Sequence, residues 1–170
     1  MNMKWMKEDM AGSASVLATA FVISKGGMEV KETTHFMLGL AENKMGDSAM
    51  RPDDIYTAGD GQTVEIGNTD AEGRLILADA ISYAAQYEPE LVIDIATLTG
   101  SAAITFGNLA IAVMGNADRK YFEGLTKAGE EVYERVSELP FWDEYKELLK
   151  SDIADIKNIG GREAGAITAG

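Results

Sequence analysis

Residues 62–96 have the pattern of a strand, a helix and a second strand, with a short acidic turn after the first strand. Polar and apolar residues alternate over 62–66, as they do in a half-buried strand. Apolar residues then recur at helical spacing over 75–87, and 91–96 is almost continuously apolar, as a covered parallel strand requires. This order predicts a parallel crossover. The acidic turn is then expected at the carboxyl end of the first strand, where ligands bind in open α/β sheets.

The acidic turn holds two carboxylates and one guanidinium, those of Asp70, Glu72 and Arg74. Carboxylates two residues apart in a turn can converge on one cation or bridge two, while the arginine faces a substrate oxygen or an anion. Acidic residues are also common at the start of an ordinary helix, because they cap it and interact favourably with its dipole. The pattern by itself leaves both interpretations open.

The composition restricts the metals that such a turn could bind. The chain of 170 residues has no cysteine and one histidine, which excludes thiolate sites and histidine-rich zinc sites. Oxygen ligands would have to hold the ion, which suits magnesium, manganese or a carboxylate-bound zinc pair. The net charge of −13 argues against nucleic-acid and anionic-membrane partners. With no bilayer-spanning run and no signal peptide, the sequence predicts a cytoplasmic protein.

Further elements are predicted on both sides of the crossover. Asp9 precedes a predicted helix just as Asp70 does, and a capping role is the simpler interpretation of Asp9 taken alone. A polar turn over 97–101 follows the second crossover strand and is expected beside the acidic turn. The remaining predicted elements are a helix of small apolar residues over 12–25, a buried strand over 33–40, a hairpin over 55–66, a strand over 109–114, an amphipathic helix over 121–139, a short helix within 141–150 and a small-residue helix within 160–170.

The acidic turn resembles the signature of a known family. Residues 68–75 read Asn-Thr-Asp-Ala-Glu-Gly-Arg-Leu, as in the octapeptide of the leucyl aminopeptidases, which are the two-metal cytosol aminopeptidases. Further motifs of that family occur in the same order at 7–14, 41–43, 61–65, 77–80, 96–100, 139–140, 151–158 and 164–170. The resemblance covers essentially the whole chain. It implies an α/β fold, a three-layer αβα sandwich around a mixed, mostly parallel sheet.

The resemblance also implies an activity and a set of site residues. A protein of this kind would release N-terminal amino acids from peptides with a free N-terminus, with a leucine-type preference, by two-metal hydrolysis. Asp9, Asp70 and Glu72 match three ligands of the divalent pair, zinc or manganese, and Arg74 matches the catalytic arginine that holds a bicarbonate ion. The family forms hexamers, which implies a homo-oligomer. Its substrate-binding positions match Met6, Asn68, Thr97, Leu98 and Gly100.

One part of the family's pattern is not found in this sequence. The family's other metal ligands, a lysine and a bridging aspartate, lie with its catalytic lysine in a glycine-rich segment upstream of the residues that match Met1. The family's N-terminal domain and its final strands and helices are also unmatched. Residues 1–170 are therefore expected to be the central part of the C-terminal catalytic domain, which would be incomplete, and this fragment alone is expected to be inactive.

Two other functions stay open on the sequence. The chain could be a catalytically inactive binding or assembly module that retains the fold. It could also be a phosphoryl hydrolase that uses Asp9, Asp70 and Glu72 and binds phosphate esters near Arg74. The second alternative is weaker, because no phosphate-cradling glycine loop precedes a helix in the usual pattern.

Overall fold

The computed structural model describes residues 3–170, which form two compact units. Of the described residues, the first unit comprises 3–49 and Leu75–Thr97, and the second comprises Met50–Arg74 and Leu98–Gly170. Helices and strands occur together, and one of the two sheets of the second unit is mixed, which confirms the predicted α/β fold class. No helix within the described residues is long and apolar enough to cross a bilayer.

Helices dominate the regular structure of the first unit. A 3₁₀ helix over Met3–Glu8 leads into helix α1, Ala11–Ser24, and helix α2, Gly73–Ala84, continues as a 3₁₀ turn over Ala85–Tyr87. These confirm the helices predicted over 12–25 and 75–87. Gly12 of α1 is buried, and a Cβ atom there would lie 2.0 Å from the carbonyl oxygen of Ile95. Helix α1 therefore packs directly on the backbone of residues 95–96.

Two strands predicted for the first unit are wrong as regular strands. Residues 33–40 and 91–96 have no β-ladder, and apolar side chains in both segments are exposed, including Ile93 at 66%. A strand needs a neighbouring backbone to accept and donate its hydrogen bonds. Within residues 3–170 neither segment pairs with another strand, so the predicted pairing of 91–96 in a parallel crossover is also wrong.

The second unit contains a three-stranded mixed sheet that leads into the acidic turn. Strands β1, Ile55–Thr57, and β2, Thr63–Glu65, are antiparallel and form the predicted hairpin. Its turn uses Gly61 at φ +90°, a left-handed conformation that glycine adopts without steric cost. The parallel partner of β2 is a short strand from far along the chain, Ile156–Lys157, which is β5 in chain order.

A second sheet of the same unit pairs strand β3, Ile111–Val113, in parallel with β4, Val136–Glu138. The intervening helix α4 covers Arg119–Val132, so the helix predicted to extend to residue 139 is too long. It stops because Tyr133 adopts a left-handed conformation and the Glu134 N–H donates to the Gly129 carbonyl at 2.8 Å. The unit also contains α3, Gly100–Phe106, a 3₁₀ helix over Asp143–Leu149 and α5, Gly165–Ala169.

Two glycines of α4 provide a matched test of this helix. A Cβ atom at the exposed Gly124 would contact nothing within 4 Å, whereas one at the buried Gly129 would lie 2.6 Å from the Glu134 carbonyl oxygen. Gly124→Ala is therefore expected to stabilise the protein by about 0.5–1 kcal/mol, since alanine is the better helix former. Gly129→Ala is expected to destabilise it by about 1–3 kcal/mol through overpacking. Urea denaturation of both variants measures these free energies, and shifts of the same sign would contradict a helix that ends at Val132.

Candidate active site

The acidic loop, residues 67–72, connects β2 to α2 and is anchored at its start by the core. Ile66 is 1% exposed, and its N–H and carbonyl bond to the Asp54 carbonyl and the Asp53 N–H, each at 2.9 Å. The side-chain oxygen of Asn68 then accepts the Asp70 N–H at 2.9 Å, which closes a tight turn. Sequence and core packing together thus fix where the loop begins.

The two carboxylates of this loop are exposed, on either side of a buried residue. Ala71 is 4% exposed, while Asp70 and Glu72 face solvent. The Ala71 N–H donates to the Asn68 carbonyl at 3.2 Å, which closes the turn a second time. In the described part of the chain, neither carboxylate accepts a hydrogen bond from the start of α2 or from any other group. The helix-cap interpretation of these two acids is therefore not supported, and both are available to a ligand.

Arg74 lies in the first turn of α2 with its side chain half-buried. Its Nε atom is buried without a hydrogen-bond partner among residues 3–170. Burial lowers the pKa of Arg74, and the negative charge of Glu72 opposes that shift. Because a guanidinium stays protonated and a buried donor without an acceptor is costly, this group fits an oxyanion bound beside the loop.

Two predicted substrate-binding positions, Leu98 and Gly100, lie in the second unit. The Leu98 side chain is 3.9 Å from where a Cβ atom of Gly73 would stand, so the predicted closeness of this turn to the acidic turn is confirmed at that residue. Gly100 is the first residue of α3, which is capped by the Thr99 side chain through the Ser101 N–H at 3.2 Å.

Three predicted site residues come together in the first unit. The Thr97 hydroxyl donates to the Asp9 carbonyl at 2.9 Å, and the Asp9 N–H donates to the Met6 carbonyl at 3.0 Å. Met6 and Asp9 also line, with Trp5 and Glu8, a cavity of about 250 Å³. Asp9 does not cap α1, which begins at Ala11 without a side-chain cap.

The described residues do not by themselves fit a complete metal centre. Asp9 belongs to the first unit, whereas Asp70 and Glu72 belong to the second. Residues 3–170 contain no group of three or more histidine, cysteine, aspartate or glutamate side chains placed to hold an ion. The donor chemistry of the acidic loop suits a hard divalent cation, but the loop supplies two carboxylates only.

One residue that shapes the acidic loop was not predicted from the sequence. Asn158 is 3% exposed and lies just after β5, with its side-chain amide directed at the loop backbone. Its position in the family motif at 151–158 is the only signal in the sequence. A buried asparagine that pairs with residues about 90 positions away cannot be found from local periodicity.

Comparison with known proteins assigns the chain along its whole length. Residues 1–170 match the cytosol aminopeptidase family, catalytic domain. The chain is 48% identical over 168 residues to the probable cytosol aminopeptidase of Geotalea uraniireducens, covering 99% of this chain and 33% of that relative. Identity to the relative of the same name in Geobacter sulfurreducens is 48% over 167 residues, 98% of this chain and 33% of that protein. Identity to the probable cytosol aminopeptidase of Nitrosospira multiformis is 49% over 164 residues, which cover 96% of this chain and 31% of that protein. The chain thus spans about a third of the length of these curated relatives.

Proposed function

Because the chain belongs to the cytosol aminopeptidase family, we propose that the protein removes N-terminal amino acids from peptides, with a leucine-type preference. The structure of the acidic loop supports this proposal. It presents two exposed carboxylates that accept no hydrogen bond from the described residues, directly before an arginine whose buried Nε has no acceptor there. Carboxylates that accept no hydrogen bond from the described residues, beside a buried guanidinium nitrogen without an acceptor there, favour a ligand site over a structural turn in a motif that resembles the family signature.

We further propose identities for the residues that hold the reacting groups. Asp9, Asp70 and Glu72 are proposed as carboxylate ligands of a divalent pair, zinc or manganese, on the basis of the family resemblance. Such ions supply Lewis acidity when bound.

Arg74 is proposed as the catalytic arginine that holds an oxyanion, bicarbonate in the family. The support is its orphaned Nε, because a bound oxyanion would accept from that donor. Met6, Asn68, Thr97, Leu98 and Gly100 are proposed to contact the peptide. A cytoplasmic location is proposed because the relatives are named cytosol aminopeptidases. A hexamer is proposed from the resemblance to the family.

The activity is proposed for the complete product of the reading frame that encodes this chain, because residues 1–170 span about a third of the relatives' length. Residues 1–170 prepared alone are proposed to be inactive. Within them, the described residues form no cluster of three potential metal ligands.

A pair of substrates tests the function. The complete product, supplied with Mn²⁺, is expected to hydrolyse L-leucine 4-nitroanilide at least about 10²-fold faster, in kcat/KM, than the N-acetylated compound. The reason is that a site built to bind the free amine rejects an analogue that cannot fill it. Absorbance at the nitroaniline wavelength gives both rates.

Two other results would contradict the proposal. Hydrolysis of 4-nitrophenyl phosphate without hydrolysis of the anilide would favour the phosphoryl hydrolase. A folded product that cleaves neither compound would favour the catalytically inactive binding or assembly module.

A further inference from the structure

The side-chain amide of Asn158 spans the backbone of the acidic loop. Its Oδ1 accepts the N–H groups of Gly67 at 2.9 Å and Asn68 at 3.2 Å. Its Nδ2 donates to the carbonyls of Asn68 at 2.7 Å and Ala71 at 3.2 Å. Both donors and both acceptor positions of the amide are therefore used, all by the segment that carries Asp70 and ends at Glu72.

Strand pairing places this amide opposite the loop. β5 runs parallel to β2, and the Asn158 N–H donates to the Glu65 carbonyl at 3.0 Å. The backbone pairing of the two strands therefore extends as far as Asn158 itself. Gly67 packs so closely that a Cβ atom there would lie 2.9 Å from the Ile159 side chain. The start of the loop therefore lies directly against the segment that follows β5.

We propose that Asn158 is a positioning residue, which fixes the backbone of residues 67–71 and thereby the positions from which Asp70 and Glu72 present their carboxylates. The inference rests on the proposed aminopeptidase function. Its physical basis is that Ala71, the residue between the two acids, is buried and held at its carbonyl by Nδ2 and at its N–H by Asn68. Releasing this one residue lets both carboxylates move together.

A purely structural role would consist of joining the segment after residue 150 to β2, and other contacts already do that. The Asp155 carboxylate accepts the Thr63 N–H and hydroxyl at 2.8 and 2.7 Å, and the Thr63 hydroxyl accepts the Asp155 N–H at 3.0 Å. The Ser151 hydroxyl donates to the Glu65 carboxylate. None of these contacts touches the acidic loop. Thr63→Val therefore loosens the same segment without releasing the loop, which makes it the matched control.

The first measurement is amide hydrogen exchange in the 170-residue chain. In Asn158→Ala the N–H groups of Gly67, Asn68 and Ala71 are expected to exchange at least about tenfold faster than in the wild type. Gly67 and Asn68 lose Oδ1 as their acceptor, which leaves the Gly67 N–H only its longer bond to the Glu65 carbonyl at 3.2 Å. The Ala71 N–H donates to the Asn68 carbonyl, which Nδ2 no longer holds. In Thr63→Val these three rates are expected to stay within about twofold, after correction for any change in global stability. Equal acceleration in both variants, or none in Asn158→Ala, would overturn the inference.

The second measurement is turnover of L-leucine 4-nitroanilide by the complete product of the reading frame. Asn158→Ala is expected to lower kcat about 10- to 100-fold with KM within about threefold, since misplacing reacting groups by about 1 Å has an effect of that size. Thr63→Val is expected to retain kcat within about twofold. A wild-type kcat in Asn158→Ala, or a similar loss in Thr63→Val, would show that the role is not positional.

Asn158→Asp keeps the inference testable if the alanine variant does not fold. Its carboxylate still accepts from Gly67 and Asn68 but cannot donate to the Asn68 and Ala71 carbonyls. The N–H groups of Gly67 and Asn68 are expected to stay protected from exchange in this variant while kcat falls. An unchanged kcat would overturn the inference. Absence of turnover in the wild type would instead overturn the proposed function and the catalytic part of this inference, while exchange would still decide whether Asn158 holds the loop.

Discussion

Glu72→Gln is expected to lower kcat/KM for L-leucine 4-nitroanilide on the order of 10³-fold and to weaken Mn²⁺ binding to the same protein. Glutamine keeps the size of the side chain but replaces an exposed carboxylate, which accepts no hydrogen bond from the described residues, with a neutral amide. A neutral oxygen is a poorer ligand for a hard divalent cation and does not offset its charge. The size of the loss follows from removing one preorganised electrostatic group at the reacting centre.

Calorimetric titration with Mn²⁺ and steady-state kinetics measure the two effects in parallel. Glu131→Gln is the matched control, because Glu131 is an exposed acid on α4 outside the acidic loop and its replacement changes the net charge equally. Both constants are expected to stay within about twofold of wild type in that variant. Unchanged Mn²⁺ affinity in Glu72→Gln would remove Glu72 from the ligands and favour the binding or assembly module.

Gly12→Ala is expected to destabilise the protein by about 3 kcal/mol, the upper part of the range for overpacking. A Cβ atom at residue 12 would lie 2.0 Å from the Ile95 carbonyl oxygen and 2.8 Å from the Ala96 Cα. Both obstacles are backbone atoms, so no side-chain rotation relieves the clash and α1 must move away. That movement would also strain the hydrogen bond from the Thr97 hydroxyl to the Asp9 carbonyl. This bond connects the residue just after 95–96 to the segment just before α1.

Thermal denaturation measures this loss, which corresponds to a fall in Tm of roughly 6–12 °C for a chain of this size. Gly46→Ala is the control, because a Cβ atom there would meet nothing within 4 Å and Gly46 does not have a positive φ. Its Tm is expected to stay within about 2 °C of wild type. Equal Tm values for the two variants would mean that α1 does not pack on residues 95–96 in solution.

Several local features were predictable from the sequence because their causes are local. The 3.6-residue period of apolar residues indicates α2, the glycine-containing turn indicates the hairpin of β1 and β2, and the small residues of α1 indicate its close packing. The position of Asp70 and Glu72 directly before a helix follows from the same patterns. Their proposed role as ligands, and that of Asp9, comes from the family resemblance and stays a prediction.

Only the tertiary structure decided which backbones meet. The apolar run at 91–96 has the composition of a covered strand, yet β2 pairs with residues 156–157, because strand pairing depends on partners that no local pattern specifies. The same pairing brings Asn158 to the acidic loop from about 90 residues away. The sequence by itself therefore determined which residues carry the charges of the candidate site. The long-range pairing of β2 with β5 determined how the backbone beneath those charges is held, since a hydrogen bond forms only where folding brings donor and acceptor together.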